Sequence, residues 1–156
     1  MSRDALFRQA AAELGFAPDA EIVKGGNYLP LLRDSHTVYL SGQVPRIGTE
    51  VVVTGRAGAE VALAQARRGA QICVLRALAL LQRELGSLEQ LRQLLRLTVY
   101  VQCTPDFTQH SEVADGASEL LHAILGEAGM HTRTAVGVYQ LPKNATVELD
   151  LIAAMH

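Results

Sequence analysis

Hydrophobic and polar positions repeat with two different periods along this chain, and each change of period marks the edge of an element. Arg3 to Leu14 places Ala5, Leu6, Ala10, Ala11 and Leu14 at helical spacing with Gly15 as a stop, which predicts a short amphipathic helix. After Pro18, the segment Ile22 to Leu32 carries Gly25-Gly26-Asn27-Tyr28 and Pro30. That is the chemistry of a turn entering an irregular or edge strand, suited to the rim of a pocket. His36 to Leu40 reads as a strand closed by Ser41-Gly42-Gln43 and Pro45, and Val51-Val52-Val53 as a further short strand between glycine-bearing turns.

A long helix is predicted from about Ala59 to Leu85, with Ala66, Ala70, Cys73, Ala77 and Leu80 on one stripe and Val74, Leu78, Leu81 and Leu85 on the next. So wide an apolar face needs a sheet to cover it. Gly86-Ser87 ends the helix, and Leu88 to Leu95 reads as a short helical turn or connector. Leu97 to Cys103 then alternates strictly and is the candidate central strand. Thr104-Pro105-Asp106 opens a second long helix, Asp106 to Gly126, with Pro near its first turn and Gly as its stop.

Two β-type runs close the chain, Arg133 to Leu141 and Thr146 to Ala153, joined by Leu-Pro-Lys-Asn as turn chemistry. They are predicted to pair with each other as an antiparallel hairpin. In the second run Val147, Leu149 and Leu151 share one face, while Glu148, Asp150 and Ile152 share the other. In the first run Arg133 shares a face with Ala135, Gly137 and Tyr139, and antiparallel pairing would bring Arg133 into one pocket with an acid that the alternation does not identify.

The order of elements predicts an α+β fold in which both long helices cover one face of a mixed sheet. The opposite face keeps Val, Leu and Ile with at most the short N-terminal helix available to cover it, so self-association is expected. At 156 residues the chain is one domain's worth, residues 1–156, with 1–20 expected as an N-terminal helical extension. A net charge of −2, no dense Lys/Arg block, few aromatics and no Trp make nucleic acid an unlikely partner. Cys73 and Cys103 belong to no CxxC or Cys/His ligand spacing and are expected as reduced thiols. None of the five His residues stands in an HxxE or HExxH spacing, and no GxGxxG or GxxxxGK[ST] loop is present, so neither metal nor phosphate loop is expected. The N-terminus lacks an apolar signal core and no apolar run is long enough to span a bilayer, which predicts a cytoplasmic protein with no membrane partner.

Four stretches carry a resemblance to a known family: Asn27-Tyr28, Tyr39-Leu-Ser-Gly-Gln-Val-Pro45, Thr98 to Phe107 and Thr132 to Ala153. Over roughly residues 25–154 the chain resembles the Rid family, also called the YjgF or L-PSP endoribonuclease family. The resemblance implies a chorismate-mutase-like fold and a homotrimer whose sheets form an inner β-barrel, with a ligand cleft between neighbouring subunits. It further implies hydrolysis of reactive enamines and imines to 2-keto acids and ammonia, with no cofactor and a small carboxylate-bearing substrate.

Residue by residue, the resemblance makes Arg133 the clamp for the substrate carboxylate, a role suited to a planar guanidinium fork. Glu148 becomes the acid that activates water. Tyr28 lines the cleft, and Ser41 and Gly42 form a bend where main chain approaches the ligand. Asp115, in the Val-Ala-Asp-Gly-Ala-Ser118 stretch, is a further candidate for the cleft, or else a solvated carboxylate. Two positions depart from the pattern of many members: Ala135 stands in place of a Cys, so a thiol contact is lost, and His131 in place of a Pro.

Plainer roles compete with each of these. Arg133 is equally at home as an interface ion-pair partner, Glu148 as a solvated strand position and Tyr28 as a packing residue. Two alternatives to the deaminase therefore stand beside it: a non-catalytic carboxylate-binding trimeric sensor or scaffold, and an endoribonuclease. The weak basic and aromatic content counts against the last.

Overall fold

The computed structural model describes all 156 residues. Helix α1 spans Arg3–Leu14, capped by the Ser2 side chain at its start and by Gly15 in the left-handed region at its end. Four strands follow: β1 (Leu31–Asp34), β2 (Thr37–Gln43), β3 (Arg46–Ile47) and β4 (Glu50–Val51). Then come α2 (Leu63–Leu85), β5 (Leu91–Gln102), α3 (His110–Leu125), β6 (Thr132–Val138) and β7 (Val147–Met155). The main sheet has the order β1-β2-β7-β5-β6, and only the β5/β6 pair is parallel; β3 and β4 form a separate two-stranded ribbon.

The expected antiparallel hairpin between the last two strands does not form. β6 pairs parallel with β5, β7 pairs antiparallel with both β5 and β2, and β5 therefore lies between them. Burial explains the swap. Val147, Leu149 and Leu151 are almost completely buried and need a neighbour on each side, whereas β6 is exposed or intermediate throughout and suits an edge. The Leu-Pro-Lys-Asn turn is real, but it arches across the end of β5, where fully buried Gln102 accepts from the Leu141 N–H and donates to Asn144 Oδ1.

A second difference lies at residues 91–95, expected as helical connector but found in β5 after a single 3-10 turn at Leu88–Gln90. Register shifts between Leu91 and Gln93 and between Leu94 and Arg96 interrupt the alternation. Leu91, Leu94 and Leu97 all become buried at a spacing of three, which imitates a helix. The long helices also start later than their patterns imply. Ala57 is tied up in bridges to Val61 and Cys103 ahead of α2, and α3 begins at His110, which leaves Pro105 in the preceding loop.

Both long helices cover one face, with α2 lying on β7 and against α3. α1 packs on that helical layer, so Phe7, Ala11 and Phe16 join the same core cluster as the sheet residues. The other face is uncovered. Leu32, Tyr39 and Val136 are exposed there, with Ile152 beside Tyr39 in the register. No helix is long and apolar enough to cross a membrane.

Candidate functional site

Period-two alternation on β7 turns Glu148 to the uncovered face, directly across from Tyr100, with Asp150 two residues on. Its carboxylate lies over Gly42, at the irregularity where β2 loses register with β7. A Cβ at position 42 would stand 2.7 Å from Glu148 Oε1, so only a glycine leaves the carboxylate where it is. Burial is the main reason the Glu148 pKa is raised above the ordinary carboxylate value, and the Asp150 charge adds to it. Asp150 is itself raised, first by burial, although the Tyr100 hydroxyl donates to it at 3.4 Å.

Glu148 opens on a cavity of about 80 Å³ walled also by Tyr28, Gly42, Gln43, Arg46 and Arg76. Tyr28 is 44% exposed and its hydroxyl accepts from the Gly25 N–H at 3.3 Å. Ser41 does not line this cavity; its hydroxyl donates to the Leu29 carbonyl at 2.6 Å and so fixes the loop that carries Tyr28. Three of the residues singled out in the sequence therefore meet here, with Ser41 behind them.

Arg133 and Asp115 are elsewhere. Arg133 is in register with buried Leu97 and so points to the helix side of the sheet, opposite to Glu148. Its Nη1 donates to Asp115 Oδ1 at 2.8 Å and to Ser118 Oγ at 3.0 Å, both on α3. Ser118 Oγ is 2.9 Å from His131 Nε2, and His131 Nδ1 is 2.6 Å from the Gly129 carbonyl. A carbonyl can only accept, so Nδ1 carries a proton towards Gly129, while Nε2 is paired with the Ser118 hydroxyl, whose oxygen accepts from Arg133. His131 is thus a brace for Arg133. Nη2 keeps only a 3.5 Å contact to the Ser111 carbonyl and Nε has no partner, so the side-on edge of the guanidinium is open.

A third cluster was not legible beforehand. Cys103 and His110 meet at 3.5 Å beside Gly137, in an open cavity of about 620 Å³ that Arg56 and Tyr139 also line. Burial raises the Cys103 pKa, only partly countered by Arg56, so the group is a thiol and not an activated thiolate.

The chain matches the YjgF/chorismate mutase-like, putative endoribonuclease family over residues 7–155. It belongs to the YjgF/Rid family. It is 34% identical to Protein TCP17 of Trypanosoma cruzi over 144 residues, 92% of this chain and 90% of that protein. The structure of Atu1372, a protein of unknown function from Agrobacterium tumefaciens, superposes with a TM-score of 0.87 at 35% identity, covering 99% of this chain and 95% of the other. A putative endoribonuclease from Shewanella oneidensis also gives a TM-score of 0.87, at 26% identity over 96% and 99% of the two chains. The chorismate-mutase-like α+β fold expected from the sequence is therefore the fold of this chain, and family membership supports a role that is small-molecule-related or endoribonuclease-like.

Sequence reading missed Arg46 and Arg76 in the Glu148 cavity. One signal was available for Arg76. It stands three residues after Cys73 and three before Ala79, a charge in the middle of a helical stretch whose neighbours are all apolar.

Proposed function

We propose that this YjgF/Rid protein hydrolyses small 2-imino or 2-enamino acids to 2-keto acids and ammonia, as a homotrimer with its site in the cleft between subunits. The observation that carries the reading is Glu148: a partly buried carboxylate of raised pKa, with no hydrogen-bond partner in its own chain, facing a cavity. Such a group is a stronger base than an ordinary carboxylate and is placed to take a proton from a water in the cavity. Water attacks the iminium carbon as Glu148 removes its proton. Glu148 then returns the proton to the nitrogen of the resulting carbinolamine, the C–N bond breaks to release ammonia, and the hydroxyl proton passes to Glu148 as the C=O of the 2-keto acid forms; ammonia carries that proton off as ammonium, which leaves the carboxylate ready for the next turnover.

Arg133 supplies the carboxylate clamp in this reading, through its open side-on edge. Because it lies on the opposite side of its own sheet from Glu148, the clamp reaching any one Glu148 belongs to a neighbouring copy. The exposed Leu32, Tyr39 and Val136 on the uncovered face are what such association would bury. Ala135, where a thiol is common, is partly buried against the core and leaves Arg133 as the polar anchor on that strand.

Ammonia release from a freshly generated 2-aminoacrylate-type intermediate is the test. The parent should accelerate it, and Glu148→Ala and Arg133→Ala should each abolish the acceleration. Co-expressing the two inactive variants should restore part of the activity, since some clefts then combine an intact Glu148 with an intact Arg133. An Arg133→Ala protein as active as the parent sinks the assignment, and ammonia release with a monomeric mass in solution sinks the shared cleft. Ligand-dependent thermal stabilisation without turnover would instead mark a carboxylate-binding sensor.

A further inference from the structure

Two arginines face the Glu148 cavity without an anionic partner. Arg76 is 4% exposed, and its contacts are neutral: Nε donates to Gln43 Oε1 at 3.1 Å and Nη2 to the Val23 carbonyl at 2.8 Å. Its Nη1 makes no hydrogen bond within the chain. Arg46, on the short β3 ribbon, makes no side-chain hydrogen bond at all, and its Nε is buried without an acceptor. The ion pairs in the fold are Arg3–Glu89, Arg67–Glu119 and Arg133–Asp115, so neither cavity arginine takes part in one.

Burying a guanidinium without a counter-charge is costly, and two together are costlier because they repel. A purely structural role accounts for two of the Arg76 nitrogens, which tie α2 to the end of β2 and to the 22–25 loop. It does not account for the third nitrogen, nor for Arg46 beside it. Both residues line the same small cavity as Glu148. Lys24 and Lys143 line it too, so with Glu148 ionised the charged side chains of the cavity sum to three positive charges, an excess that an anionic group on the ligand reduces. Two guanidinium forks on one cavity wall are suited to a planar carboxylate.

We propose that Arg76 and Arg46 form a subsite for a second carboxylate, so that the ligand is a dicarboxylic 2-imino or 2-oxo acid rather than a monocarboxylic one. The inference rests on the reading of the Glu148 cavity given above, and it names the substrate class. The first carboxylate goes to Arg133 of the neighbouring copy, the reacting carbon lies at Glu148, and the side-chain carboxylate enters the 80 Å³ cavity.

The test compares binding of 2-oxoglutarate with that of 2-oxopentanoate, a monocarboxylate of the same chain length that lacks only the second carboxylate, by calorimetry on the full chain. The parent should prefer the dicarboxylate by about tenfold or more, the size expected for hydrogen bonds to charged groups. Arg46→Leu, at a partly exposed position on a two-residue strand, and Arg76→Gln, which keeps a donor for Gln43, should bring the ratio within about twofold of unity while leaving 2-oxopentanoate binding unchanged. Circular dichroism and thermal melting confirm that each variant is folded. A parent that binds 2-oxoglutarate no better than 2-oxopentanoate overturns the subsite, as does a preference that survives in a folded Arg46→Leu protein. Ammonia release is not read here, so the two proposals fail separately. Selective binding without turnover removes the hydrolase and keeps the subsite, and turnover with no selectivity does the reverse.

Discussion

Replacing Gly42 with alanine inserts one methyl group against the carboxylate on which the proposed chemistry turns. The new Cβ would lie 2.7 Å from Glu148 Oε1 and 2.9 Å from its Cδ. Carbon atoms pack at about 3.5 Å or more, so the Glu148 carboxyl must withdraw by roughly 0.6–1 Å. The strain is released cheaply, because the atoms that move are the far end of a flexible side chain. Gly42 is also absent from the positive-φ positions, so alanine fits its backbone, and the substitution narrows the unfolded ensemble, worth about 0.4–1 kcal/mol in favour of folding. Catalysis has no such tolerance: a misplacement of about 1 Å costs on the order of a hundredfold, or about 2.7 kcal/mol of barrier. Gly42→Ala should therefore melt at or slightly above the parent temperature while kcat/KM for ammonia release falls about a hundredfold. Full activity in a well-folded Gly42→Ala protein would refute the placement of Glu148 at the reacting carbon. A large loss of stability would refute the claim that the side chain, and not the backbone, absorbs the strain.

Glu148 and Asp150 both have raised pKa values, burial being the first cause in each, so the folded state holds their protons more tightly than the unfolded chain does. Stability should fall as pH rises from the ordinary carboxylate range through these raised values, and urea titrations across that window should show a flatter slope for Glu148→Gln. Asp4 runs the other way. Burial alone would raise it, but bonds from Ser87, the Leu88 N–H and Gln82 outweigh that and lower it, so its contribution is present above the ordinary Asp value and lost on further acidification. Asp115→Asn removes a 2.8 Å ion pair whose partners are 45% and 22% exposed, and should cost less than about 1 kcal/mol in denaturant while raising KM, because Arg133 loses its orientation. Equal losses in stability and KM would make that pair merely structural. Phe7→Ala should cost about 3–5 kcal/mol in urea unfolding, since the ring is fully buried in the shared core; a loss under 1 kcal/mol would make α1 a detachable appendage.

Local chemistry was enough to read much of this molecule from residue order. Helical spacing and Gly15 bound α1, the apolar stripes of α2 demand a covering sheet, and alternation from Leu97 onward identifies a buried interior strand, because each of these signals is carried by neighbours in the chain, although the middle of the sheet is β7. The same alternation correctly turned Glu148 away from the aliphatic face of β7. Partner choice was not readable in that way. Whether β7 pairs with β6 or slips between β5 and β2 depends on which strand loses more by standing at an edge, and that comparison involves residues far apart in sequence. Register shifts in β5 gave its first half a helical spacing, so a correct periodicity led to the wrong element. Arg133 and Glu148, fifteen positions apart on two runs read as one hairpin, are separated by a whole sheet once β5 lies between those runs. Asp115 and Ser118 became partners of Arg133, with His131 behind Ser118, only when α3 crossed over to lie beside β6. Arg46 and Arg76 likewise share a cavity wall with Glu148 because a helix, a two-residue ribbon and the central strand β7 converge there. Alternation and capping act between neighbours along the chain and can be read in order. The cost of an unpaired buried charge is decided by what packs around it, and that exists only after the fold has formed.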